Sequence, residues 1–159
     1  MSVFKRALLV GIGSGTLYAA SMGCGPDIPD KITFAGQSGM MQSNVQVNFQ
    51  DAWAEEDEFK VKLWVGNLSQ QVMYLNRQGI ALRLVDGRVL NNKDDDHDPI
   101  NMAPGSGHDI EAEFEDKGHD MRNLVGGSVI VGGIWFGNDP RQRVVGEIPM
   151  MRGAAKKDD

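Results

Sequence analysis

The side chains best suited to chemistry in this 159-residue sequence are three histidines, a run of aspartates and two methionine pairs. His97, His108 and His119 follow one another at intervals of 11 residues, and Met121 stands two residues beyond the last. Imidazole and thioether together suit Cu(I), because soft sulfur ligands favour that ion. His97, His108, His119 and Met121 are therefore a candidate copper-binding set, provided the fold brings them to one point. Asp94-Asp95-Asp96-His97-Asp98 offers hard oxygen ligands of the kind Ca²⁺ takes. It lacks the glycine at the sixth position and the glutamate at the twelfth of a calcium-binding loop, so a solvated loop is the plainer reading. Met40-Met41 and Met150-Met151 read as gap-filling core residues. No serine or cysteine sits in a context that pairs it with a base, and no carboxylates stand in a recognisable acid–base setting. The sequence therefore reads as a non-enzymatic protein without a bound cofactor.

The single cysteine belongs to a different kind of chemistry. Lys5 and Arg6 form a short cationic segment, Ala7 to Ala20 is apolar but interrupted by glycines, and small residues follow. That order is the layout of a secretory signal. The apolar run is shorter and weaker than the roughly 20 residues a spanning helix needs. Ser21-Met22-Gly23-Cys24 resembles a bacterial lipobox. The resemblance implies that Cys24 is lipidated and becomes the mature N-terminus. Gly23 fits the small residue expected before the cysteine, whereas Ser21 stands where leucine is usual. Gly25 is not aspartate, which by the same resemblance implies the outer membrane, facing the periplasm. Several acyl chains give stable anchoring where a single one is marginal.

Charge narrows the partners. The whole chain carries 16 basic and 22 acidic residues. Without Lys5 and Arg6 the mature chain has 14 against 22, a net charge of −8. Such a surface does not attract nucleic acid. With Cys24 lipidated, no disulfide can form within the chain, and packing alone must hold the fold.

The elements that must position these residues read as strands. Val45/Val47/Phe49, Phe59/Val61/Leu63/Val65, Ile80/Leu82/Leu84 and Ile110/Ala112/Phe114 each alternate with polar neighbours, the period of a half-buried strand. Val129 to Phe136 is almost wholly apolar and reads as one central strand, with Gly132-Gly133 as a bulge or close-approach point. Arg143 to Met150 closes the set. Asp86-Gly87 predicts a two-residue hairpin of type I′, and Pro104-Gly105 and Gly137-Asn138 mark further turns. The expectation is an all-β fold, an immunoglobulin-like antiparallel β-sandwich of about six to eight strands. Residues 1–23 form the signal, 24–42 a tether, 43–152 the sandwich, and 153–159 a charged tail.

The run Phe59 to Asn67, then Ser69, Ile80 to Gly87, Met102-Ala103-Pro104-Gly105 and Ile110 to Phe114 resembles a family of secreted bacterial lipoprotein domains of unknown function. That resemblance implies an immunoglobulin-like sandwich and carries no catalytic residues. The functional expectation is a lipid-anchored envelope module that binds a protein or another envelope component. Periplasmic copper handling is the alternative, since the His and Met set is also faintly similar to that of periplasmic copper chaperones.

The candidate docking residues are Lys60, Lys62, Trp64 and Arg83. Each lies on the wet phase of its strand. Trp64 either fills a second core layer or stands exposed as an interface anchor. Asp109, Glu111, Glu113 and Glu115 lie on the wet phase of another strand. The arrangement expected places the two sets in opposite sheets, giving one basic face that bears a half-exposed Trp64 and one acidic face.

Overall fold

The computed structural model describes residues 28–153. The signal segment, Cys24 and the tail 154–159 lie outside the described residues. Thirteen antiparallel strands follow in order: β1 (Ile32–Gly36), β2 (Met40–Gln42), β3 (Val45–Ala54), β4 (Glu58–Asn67), β5 (Met73–Leu75), β6 (Ile80–Leu84), β7 (Val89–Asn91), β8 (Ile100–Met102), β9 (Gly107–Glu115), β10 (Gly126–Val131), β11 (Ile134–Phe136), β12 (Asp139–Arg143) and β13 (Gly146–Arg152). Two single-turn 3₁₀ segments, Arg77–Gly79 and Met121–Asn123, interrupt them.

The fold is all-β and antiparallel, as the alternation predicts. A large sheet runs β7-β6-β10-β13-β1-β3-β4-β9, with β2 also paired to β3, and a small sheet runs β12-β11-β5-β8. The large sheet rolls until its edges meet. Asn92 and Lys93, just beyond β7, reach β9: the Lys93 amide donates to the Glu113 carbonyl at 2.8 Å, and the Glu113 amide donates to Asn92 Oδ1 at 3.0 Å. Asn92 Nδ2 donates to the Arg77 carbonyl at 3.0 Å, so this buried amide stitches the seam of a nearly closed barrel. Inside lies one core that includes Phe34, Phe59, Leu63, Leu82, Phe114 and Ile148 from the large sheet and Met73, Leu75, Met102 and Ile134 from the small one.

Four expectations are corrected. The strands are more numerous than six to eight, because the short strands β1, β2, β5, β7, β8 and β12 join those that the alternation marks and one apolar run is divided at its glycines. The run Val129 to Phe136 is two strands, β10 in the large sheet and β11 in the small one. Gly133 has φ +72°, and Gly132-Gly133 packs directly on the Gly79 backbone, where no side chain fits. The close approach read from these glycines is real, and it is the point where the chain changes sheets. Likewise Arg143 to Met150 is not one strand: Arg143 ends β12, and β13 begins at Gly146 after Val144-Val145.

The stretch 24–42 is not a tether with one short strand at Lys31 to Ala35: that strand is present as β1, but it belongs to the folded domain. β1 lies between β13 and β3 and buries Ile32 and Phe34, while β2 continues along the same edge of β3. The folded domain therefore begins near Ile32 rather than at residue 43. The hairpin at Asp86-Gly87 is also of another kind. A type I′ turn needs positive φ at both central residues. Here only Gly87 has it, at +88°. The Gly87 amide donates to the Leu84 carbonyl at 3.0 Å and the Leu84 amide to the Arg88 carbonyl at 2.9 Å, a type I turn followed by a glycine bulge. The turn with two positive φ values is Ser43-Asn44, at 52° and 63°, which joins the facing residues Gln42 and Val45.

Candidate functional site

The outer face of β3, β4 and β9 gathers three of the four expected docking residues, Lys60, Lys62 and Trp64. The separation into a basic and an acidic face is overturned, because β4 and β9 are direct neighbours. Lys60 stands opposite Glu113, Lys62 opposite Glu111 and Trp64 opposite Asp109. Lys60 Nζ lies 3.1 Å from Glu58 and 3.4 Å from Glu113, and Lys62 Nζ lies 3.2 Å from Glu111. The two strands alternate in charge because their wet phases meet across one ladder, where opposite charges attract and like charges repel. Arg83 is not part of this face. It lies on β6, separated from β4 by β10, β13, β1 and β3, and pairs with Glu147 at 3.0 Å.

At the end of the β4–β9 ladder the face changes character. Gly66 faces Gly107 in register. A methyl group on either would overlap the Trp64 indole, so the ring lies flat across both glycines. Trp64 is half-buried, as expected for a residue with one covered face. Neither glycine has a positive φ; their backbone conformations are open to any residue, and the indole is what occupies the vacant side-chain space. Around it stand Gln46 and Asn48 on β3, linked by a 3.2 Å hydrogen bond. Gln50 Nε2 donates to Asp109 Oδ1 across β4 at 2.7 Å. A hollow of about 420 Å³ beside them is lined by Gln50, Lys62, Asp109, Ile110 and Glu111.

Trp53, further along the same outer face, is the aromatic the alternation does not flag. A bulge between Phe49 and Asp51 shifts the register of β3, so Ala52 and Ala54 point inward and Trp53 outward. It is nevertheless only 8 % exposed. Lys31 Nζ lies 4.0 Å and Lys62 Nζ 5.3 Å from its ring centre, and its Nε1 donates to Glu55 at 3.0 Å. An aromatic pair, Tyr74 on β5 and Trp135 on β11, stacks at 5.3 Å with ring planes 13° apart. These residues face one another across the small sheet. Their 61-residue separation in sequence left no local sign of the pairing.

The candidate copper ligands do not converge. His108 lies near the start of β9 and His119 beyond its end; the strand between His108 and Glu115 alone spans about 23 Å at the usual rise per residue. His97 sits in the loop after β7 beside Gln78. His119 is 64 % exposed and lies 3.3 Å from Asp116. Met121 is fully buried in the core, where its thioether packs instead of reaching the surface. The copper reading is therefore set aside. Among the described residues no cluster of three or more His, Cys, Asp or Glu side chains is placed to hold a metal ion. The aspartate loop is occupied with its own backbone: the amides of Asp94, Asp96 and Asp98 donate to the side chains of Asn92, Asp94 and Asp96 in turn. Arg77 Nη1 bridges Asp94 at 3.3 Å and Asp96 at 2.8 Å.

The most connected buried polar residue is Asn67, fully shielded at the end of β4. Its Nδ2 donates to the carbonyls of Gln71 at 2.7 Å and Met102 at 3.0 Å, and its Oδ1 accepts from the Ser69 amide at 2.9 Å and hydroxyl at 2.7 Å. Its carbonyl accepts from the Gly105 amide, and its amide donates to Ser106. Asn67, Ser69 and Met102 to Gly105, dispersed in sequence, form one structural knot between the two sheets.

No family model matches the chain, and no curated protein matches it in sequence. Among solved structures it is similar to the X-ray structure of Northeast Structural Genomics Consortium target SoR45, at 6 % identity with a TM-score of 0.44, over 81 % of this chain and 91 % of that one. Among the described residues no helix is long and apolar enough to cross a membrane.

Proposed function

We propose that this chain is an exported envelope lipoprotein, anchored through Cys24 at the outer membrane and facing the periplasm, whose β-domain is a binding module. The observation that carries the reading is the order of cationic segment, apolar run and Ser21-Met22-Gly23-Cys24. Only seven residues separate Cys24 from Ile32, so a lipidated cysteine would hold the start of β1 within about 30 Å of the bilayer even with the chain fully extended. The acidic end of the barrel, with Glu55, Glu56, Asp57 and Glu58, lies beside that start; Trp64 and the Gly66–Gly107 pair lie toward the other end of β4. The docking surface is the outer face around Trp64, now without Arg83 and with its lysines paired. Intact mass of the protein extracted from membranes tests the anchor: a diacylglycerol-modified, acylated N-terminal Cys24 is expected. An unmodified Cys24, or a mature N-terminus elsewhere, would sink the reading.

A further inference from the structure

We propose that the Trp64 face binds a neutral saccharide, with a pyranose ring stacked on the indole. The inference rests on the binding-module reading and names the ligand class. A half-buried indole laid flat on two glycines offers one open π-face to solvent, and the negative quadrupole of that face attracts the positive C–H edge of a sugar ring. Gly66 and Gly107 face each other at the end of the β4–β9 ladder with no positive φ to require glycine, and what both positions admit is the flat ring. The rim suits hydroxyl groups, which donate and accept at once: Gln46, Asn48 and Gln50 supply planar amides with both functions, and Asp109 supplies an acceptor. The adjacent hollow of about 420 Å³ lies within the range of small-ligand sites. Charge argues against an anionic ligand, since Lys60 and Lys62 are each held by carboxylates of the same ladder.

The test is titration of the chain, by tryptophan fluorescence and calorimetry, with three hexasaccharides: β-1,4-linked N-acetylglucosamine, β-1,4-linked glucose, and a polyuronate as the charged contrast. Saturable binding of at least one neutral hexasaccharide is expected, with weaker binding of the polyuronate. Trp64→Ala should weaken binding on the order of tenfold or more, the usual worth of one aromatic stacking contact, and Trp64→Phe should recover part of it. Because Trp64→Ala also uncovers two glycines, Asn48→Ala serves as the second variant; it should weaken binding several-fold with an unchanged melting temperature. Absence of binding to both neutral sugars, or binding undiminished in Trp64→Ala, overturns the proposal. If neither neutral sugar binds while a purified envelope protein binds in a Trp64-dependent way, the ligand class falls and the binding-module reading stands.

Discussion

Asn67 shows how one side chain can hold two sheets together. Its amide meets two carbonyls and two donors in a fully shielded position. Removing it leaves the buried Met102 carbonyl, and the part-buried partners at Ser69 and Gln71, without that amide, at about 1–3 kcal/mol for a buried group left unpaired. Asn67→Ala should therefore cost on the order of 3 kcal/mol in urea melts, well above a surface substitution. A loss under about 0.5 kcal/mol would mean that water replaces the side chain and that the knot does not couple the sheets. Asn67, Ser69 and Met102 to Gly105 were visible in the sequence as turn residues closing strands. Their meeting in one network was not, because it depends on a strand pairing that brings residues 35 apart into contact. Trp64 was legible as the odd residue of its strand. Its flat pose was not, since that follows from Gly66 and Gly107 sharing one register. The histidines misled for the converse reason: regular spacing along the chain says nothing of proximity when an extended strand lies between.

Among the elements, the strands with strict alternation were legible and the short ones were not. β4, β6 and β9, and β3 as far as its bulge, alternate because one face is buried and the other wet. β1 is the exception among the short ones: Lys31 to Ala35 reads as a short strand, but one inside a Gly- and Pro-rich tether, so its structural weight is not legible. Its importance comes from its place between β13 and β3. A chain beginning at Ser43 should consequently lack a cooperative thermal transition and a dispersed amide NMR spectrum, whereas one beginning at Ile28 should show both. A folded Ser43 fragment would show β1 and β2 to be dispensable. The turn joining β2 to β3 supplies a second prediction. Ser43 and Asn44 both occupy the left-handed region, where Asn-Gly is the favoured pair. Replacing Ser43-Asn44 by Asn-Gly should raise stability by about 0.5–1 kcal/mol, read as a higher urea midpoint with an unchanged m-value; a lower midpoint would show the turn to be of another type.

At the scale of the whole molecule, the barrel closes where β7 and its extension meet β9, and charge crosses that seam. Glu58 accepts from Lys93 at 3.0 Å and pairs with Lys60 at 3.1 Å. The hydrogen bond from Lys93, then that from Lys60, holds its carboxyl below the ordinary glutamate value of 4.5. The same carboxylate raises both lysines above 10.5. The signs give two windows. A depressed carboxylate contributes stability that is present above its unfolded pKa and lost as pH falls through its folded value. A raised lysine contributes stability that is present below its unfolded pKa and lost as pH rises through its folded value. The wild type should thus exceed Glu58→Gln by a constant margin near neutrality. That margin should shrink below about pH 4.5 and again above about pH 10.5, the ordinary values from which the three groups are displaced. These side chains are partly solvated, so salt should reduce the margin at every pH. Chemical denaturation of both proteins from pH 3 to 11 checks this; a margin that does not change with pH would show that Glu58 acts through packing and that the seam is held by Asn92 and the backbone alone.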